Sequence, residues 1–167
     1  MVKKVVAMVT AIGIIAGGVS TTAYAADNNL SGANGNLKTV IQQFKEVKGD
    51  YISNKGVVKA ALKNKKAQLL TENKELTKED FSGLRNTLKD IGREKAVIKE
   101  ENKTIKTDVK GLKEELKVAR EQNNSEKSNT IITSLIEKIS KLTENFTKLS
   151  GLRTKALTEI NQWAPSN

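Results

Sequence analysis

This chain contains no cysteine and no histidine. Without cysteine there is no disulfide, no thiol nucleophile and no lipid-attachment site. Without histidine there is no imidazole acid–base pair, and lacking both removes the usual tetrahedral zinc ligands. The single proline stands at position 165, and only six of the 167 residues are aromatic. A compact globule of this size normally carries more aromatics, whereas an elongated helical body held by Leu, Ile and Val seams needs fewer. No glycine-rich phosphate loop and no Gly-x-Ser-x-Gly turn occurs. Adjacent acids occur at Glu79-Asp80, Glu100-Glu101 and Glu114-Glu115, but neighbouring helix positions point about 100° apart, so such pairs do not converge on one substrate or metal. Flanking lysines such as Lys78, Lys99 and Lys113 are their natural partners. No enzymatic activity, cofactor or metal is expected.

The N-terminus carries an export address. Lys3 and Lys4 precede an uncharged apolar stretch from Val5 to Val19, and Ala23-Tyr24-Ala25 supplies the small-x-small pattern of a signal-peptidase site. Cleavage after Ala25 starts the mature chain at Ala26. The alternative is an uncleaved anchor, but the apolar run is short and rich in Gly and Ala against the ~20 residues of a membrane span. Removing residues 1–25 leaves 27 basic residues against 19 acidic ones, a net charge of +8. Export places the protein in a secreted, periplasmic or cell-surface setting and excludes intracellular nucleic acid as a partner.

Residues 26–36 (ADNNLSGANGN) are rich in Asn and Gly and read as a flexible leader. Beyond them, residues 37–163 form one helical domain, with helices expected over about 37–76, 78–121 and 126–163 and a tail at 164–167. The middle seam is the clearest: Phe81, Leu84, Leu88, Ile91, Ile98, Ile105, Val109, Leu112, Leu116 and Ala119 follow a 3-4 alternation, with Lys95 and Asn102 as its polar members. The last seam runs through Ile132, Leu135, Ile139, Leu142, Phe146, Leu149, Ala156, Ile160 and Trp163, with Arg153 as its polar member. The first is weaker. Leu37, Ile41, Phe44, Tyr51, Val58, Leu62, Leu69 and Leu76 share a frame with Lys48, Lys55, Lys65 and Glu72, and Gly49-Asp50 or Gly56 can divide it into two helices.

Two register slips show where the chain turns. Leu76 to Leu84 is one residue longer than a heptad, and Ala119 to Ile132 is one residue short of two. Each slip coincides with a stop signal: Thr77 with Asp80, a relative of the capping box, and the polar run Gln122-Asn123-Asn124-Ser125. The expected fold class is therefore all-α, as elongated antiparallel helical hairpins or a three-helix coiled-coil-like bundle behind a cleaved signal peptide. The alternative is one long parallel coiled coil with stutters. Gly83, Gly92, Gly111 and Gly151 lie off the seams, either as drift at exposed sites or as a pliant scaffold.

The segment Leu76-Thr77-Lys78-Glu79-Asp80-Phe81 resembles the Leu-Thr-x-x-Gln helix start of the Spy/CpxP group of periplasmic proteins, with Asp80 in place of Gln. That resemblance covers about ten residues and the general character of a small, exported, cysteine-free helical chain. It implies a thin, cradle-like dimer and an ATP-independent chaperone, with Leu76, Thr77, Asp80 and Phe81 as motif residues. From the residues themselves, the densest positive cluster is Lys63 with Lys65 and Lys66, a candidate contact for polyanions. Two functions fit: a chaperone or envelope-stress protein holding unfolded or envelope proteins on a basic amphipathic surface, or a cell-surface adhesive coiled coil binding a protein or an anionic polymer. The polar seam residues Lys95, Asn102 and Arg153 are candidates for specifying a homodimer.

Overall fold

The computed structural model describes residues 29–72 and 81–164. Helix α1 spans Asn29–Ser53, α2 Val57–Thr71, α3 Ser82–Glu121 and α4 Ser125–Gln162. The described residues contain no strand, so the fold is all-α. Among them, no helix is long and apolar enough to cross a membrane. The cleavage residues Ala23, Ala25 and Ala26, and the motif residues Leu76, Thr77 and Asp80, lie outside the described residues.

Helix α4 is the axis of the molecule. Its heptad positions Ile132, Leu135, Ile139, Leu142, Phe146, Leu149, Ala156 and Ile160 are all buried, and Ile131 joins them. The other helices all pack on it. Helix α3 runs antiparallel to α4. Leu116 and Ala119 meet Ile131, Ile132 and Leu135 at one end, and Phe81 stacks on Trp163 at the other, with ring centroids 4.6 Å apart. Helices α1 and α2 run parallel to α4. Leu37 packs by the Ile131–Leu135 cluster, Phe44 and Tyr51 meet Phe146, and Lys65 Nζ donates to the Asn161 carbonyl at 3.2 Å. The chain thus runs up, down and up, as the register slips require, and is not one continuous coiled coil.

The α3–α4 reversal is closed by its own backbone. Asn123 adopts a left-handed conformation, φ 52°. The Asn124 amide donates to the Ala119 carbonyl and the Asn123 amide to the Arg120 carbonyl, at 2.9 and 3.0 Å. This is a Schellman ending with Asn in glycine's usual place. Asn124 then caps α4, its side-chain oxygen accepting from the Lys127 amide at 2.9 Å.

Three expectations need correction. The leader is not wholly irregular, because α1 begins at Asn29, and its Ala33 packs with Leu37 against the α3–α4 cluster. Tertiary packing outweighs the poor helix propensity of Gly32 and Gly35. The first segment is two helices. It parts at Asn54–Gly56, where Gly56 has φ 97°, whereas Gly49-Asp50 stays helical. Only glycine adopts that backbone without steric cost. Finally, α3 starts at Ser82, a few residues later than expected, with Phe81 at its N-cap held on Trp163.

Two of the three polar seam members, Asn102 and Arg153, find partners within the chain. Asn102 is 3 % exposed, and its side-chain oxygen accepts from Asn145 Nδ2 at 3.0 Å. The same Asn145 amide donates to Glu101 Oε2 at 2.9 Å. Arg153 donates to the Tyr51 carbonyl, and its guanidinium lies 4.3 Å from the centre of the Tyr51 ring. A buried amide pair fixes α3 against α4 in one register, since a slip leaves both amides unpaired. Asn102→Leu is expected to destabilise by about 1–3 kcal/mol, because the fully buried Asn145 loses a partner. Replacing both by Leu should recover most of that loss, since two buried polar groups leave together. Urea unfolding of the single and double variants checks this, and equal losses in the two would refute it.

Candidate functional site

Helices α1 and α2 each lie on α4, α3 lies on α4, and neither α1 nor α2 packs its backbone against α3. The two walls are bridged near one end by Arg120 of α3, which donates to Asn34 of α1 at 2.7 Å. Between them runs an open cleft whose floor is the apolar stripe of α4.

Two cavities succeed one another along it. The first, about 460 Å³, has Ile139 and Leu142 as floor, with Ile41 and Phe44 on the α1 wall and Val109 on the α3 wall. The second, about 540 Å³, has Leu149, Leu152 and Ala156 below, Tyr51 and Val58 on one side, and Leu88 and Ile91 on the other. The base residues Ile139, Leu142, Leu149 and Ala156 are themselves buried. The apolar surface open to an occupant is that of the half-buried walls, Ile41, Phe44, Tyr51 and Val58 on one side and Leu88 and Val109 on the other, with Leu152 between them.

The rims are basic. Lys45 and Lys48 face Lys106, Lys110 and Lys113 across the first cavity, and Lys55 faces Lys95 and Lys99 across the second. Arg153 adds a positive charge to the floor. Among the described residues, no Asp or Glu lines either cavity. None of the eight rim lysines forms a salt bridge with a described residue. Their stems lie along the apolar wall: Lys48 Nζ is 5.7 Å from the centre of the Phe44 ring, and Lys106 Nζ is 5.9 Å from that of Phe146. The acids of α3 face elsewhere, with Asp108 on Lys138 at 2.7 Å and Glu101 on Lys141 at 3.8 Å, both across the α3–α4 seam.

The Lys63, Lys65 and Lys66 cluster lies on α2, and its three side chains have different surroundings. Lys63 is exposed, Lys65 is tied to the C-terminal turn of α4, and Lys66 lines a smaller cavity with Leu62, Phe81 and Arg85 at the end of the bundle. Phe81 is the one motif residue described, and its ring serves the α3–α4 contact. Of the polar seam residues, Lys95 stands on the cleft rim.

Sequence reasoning missed the rims as a unit. The signal was present: Lys95, Lys99, Lys106, Lys110 and Lys113 recur at helical spacing along one edge of α3, and Lys45, Lys48 and Lys55 do so along the first segment. Lys48, Lys55 and Lys95 read as interruptions of the seams because nothing in the spacing shows that α1 and α3 stand apart. Comparison with family models, curated proteins and solved structures finds no match for this chain.

Proposed function

We propose that this protein is an exported, non-enzymatic holding protein that binds apolar segments of other proteins without ATP. The observation that carries the reading is the cleft with half-buried apolar walls and lysine rims. A concave apolar surface on a rigid α3–α4 hairpin offers burial to an exposed hydrophobic segment, at roughly 25 cal/mol per Å² removed from water. The lysines keep the unoccupied cleft hydrated and the protein dispersed. The signal-like N-terminus and the short resemblance to the Spy/CpxP group lean the same way. An adhesive role towards an anionic polymer uses the rims but leaves the half-buried apolar walls without purpose, so holding protein segments is the better account.

The direct test is light scattering from a client that aggregates on dilution from denaturant, with and without the mature protein and without ATP. Suppression at near-equimolar amounts is expected. Unchanged aggregation across several clients would remove the reading.

A further inference from the structure

We infer that the cleft selects acidic client segments, those whose apolar side chains are interleaved with Asp and Glu. This rests on the holding function proposed above and names its substrate class.

Two facing lysine rows enclose the cleft, and none of the eight is neutralised by a described carboxylate. The acids that α3 does carry at Glu101 and Asp108 are engaged with α4 lysines away from the cleft. Like charges facing each other repel, so any occupant that supplies negative charge between the rims relieves a repulsion as well as forming new pairs. A basic segment increases that repulsion and is turned away.

The half-buried apolar walls decide among anionic occupants. A bare polyanion satisfies the rims but buries nothing on the half-buried walls at Phe44, Tyr51, Leu88 and Val109. A flat bilayer can touch the rims but does not enter between the walls. A chain that alternates apolar and acidic residues does both, since successive side chains of an extended segment point to opposite sides. From Lys95 to Lys113 the α3 rim is about 27 Å long, the span of roughly eight extended residues.

The experiment is fluorescence anisotropy of the mature protein with a labelled peptide of about eight residues alternating Leu and Glu. The comparison probes are a Leu–Lys peptide of equal length, an oligoglutamate of equal length, and vesicles of anionic phospholipid as competitor. Binding of the Leu–Glu peptide is expected to exceed that of the other two peptides by at least about tenfold. It should weaken as salt rises from ~0.1 to ~1 M, where the Debye length falls from ~10 to ~3 Å. Lys99→Glu with Lys110→Glu, both exposed and each on a different cavity, should lower the affinity at least about tenfold while the helical circular dichroism stays unchanged. Should that variant lose helicity, Lys99→Gln with Lys110→Gln provides the same comparison without new charge.

Oligoglutamate binding as tightly as the Leu–Glu peptide would reduce the site to a polyelectrolyte surface and overturn the proposal, as would displacement of the peptide by vesicles. Equal binding of the Leu–Lys and Leu–Glu peptides would overturn acidic selectivity while leaving the holding function standing. Failure to bind any peptide together with failure in the scattering assay would remove both.

Discussion

Phe146→Ala is expected to destabilise the protein by about 3–5 kcal/mol, the usual loss for a buried Phe truncated to Ala. The side chain is 7 % exposed and meets Phe44 and Tyr51 edge-on, with ring centroids 5.8 and 5.4 Å away. The loss should fall unevenly. Helix α1 has no fully buried side chain of its own among its described residues, and its backbone packs on α4 but not on α3, which it meets only through side chains at its first turns. Its attachment depends on Phe146, on Arg153 against Tyr51, and on Leu37 at the far end. Hydrogen exchange should therefore quicken most in residues 31–53, while the α3–α4 hairpin keeps its protection. Equal quickening in α1, α3 and α4 would show that the bundle opens only as one unit. The same variant should widen the cleft from the α1 side, because Phe44 and Tyr51 both lose the ring they meet.

The elements differ in how far their sequence reveals them, and the difference has a physical cause. Every apolar heptad position of α4 from Ile132 to Ile160 named from its periodicity is buried, because this helix is covered by neighbours on two sides and its whole stripe faces protein. The α3 seam is legible in part: Leu84, Ile91, Ile105, Leu116 and Ala119 are buried, whereas Leu88, Ile98, Val109 and Leu112 are half-buried because α1 and α2 do not cover that side. Asn102, whose place in an apolar row marks a buried polar partner, is buried too. Position along the chain identified the Asn123–Asn124 reversal because both slip and cap fall there. Helix α1 is less legible because its face is half-buried and interrupted by lysine, and its first turns form only by leaning on residues more than eighty positions away. The cleft was not legible at all as a shape. Periodicity tells which side of a helix faces inward, but the separation of α1 from α3 is set by packing on α4. Lysines read as seam defects are thus the rims of an open groove.

The second large effect has the opposite sign. Changing Gly83, Gly92, Gly111 and Gly151 together to Ala is expected to stabilise the protein by about 2–4 kcal/mol, at roughly 0.5–1 kcal/mol each. A Cβ at each position would meet nothing within 4 Å in the described structure, and none of the four has positive φ, so no steric cost offsets the gain. The sites are far apart in the sequence of two long helices, and their effects should add. For a domain of this size the melting temperature should rise by roughly 10 °C. A fall in stability would mean that one of these positions is tighter than its geometry indicates. The variant also decides why the glycines are there, provided that Gly92, which lines the second cavity, is left unchanged in the binding comparison. A Gly83/Gly111/Gly151→Ala protein that is stiffer yet suppresses aggregation as well as the parent would make the glycines drift at exposed sites. One that is more stable and holds clients less well would mean that bending of α3 and α4 around the cleft is part of binding, with stability given up for pliancy.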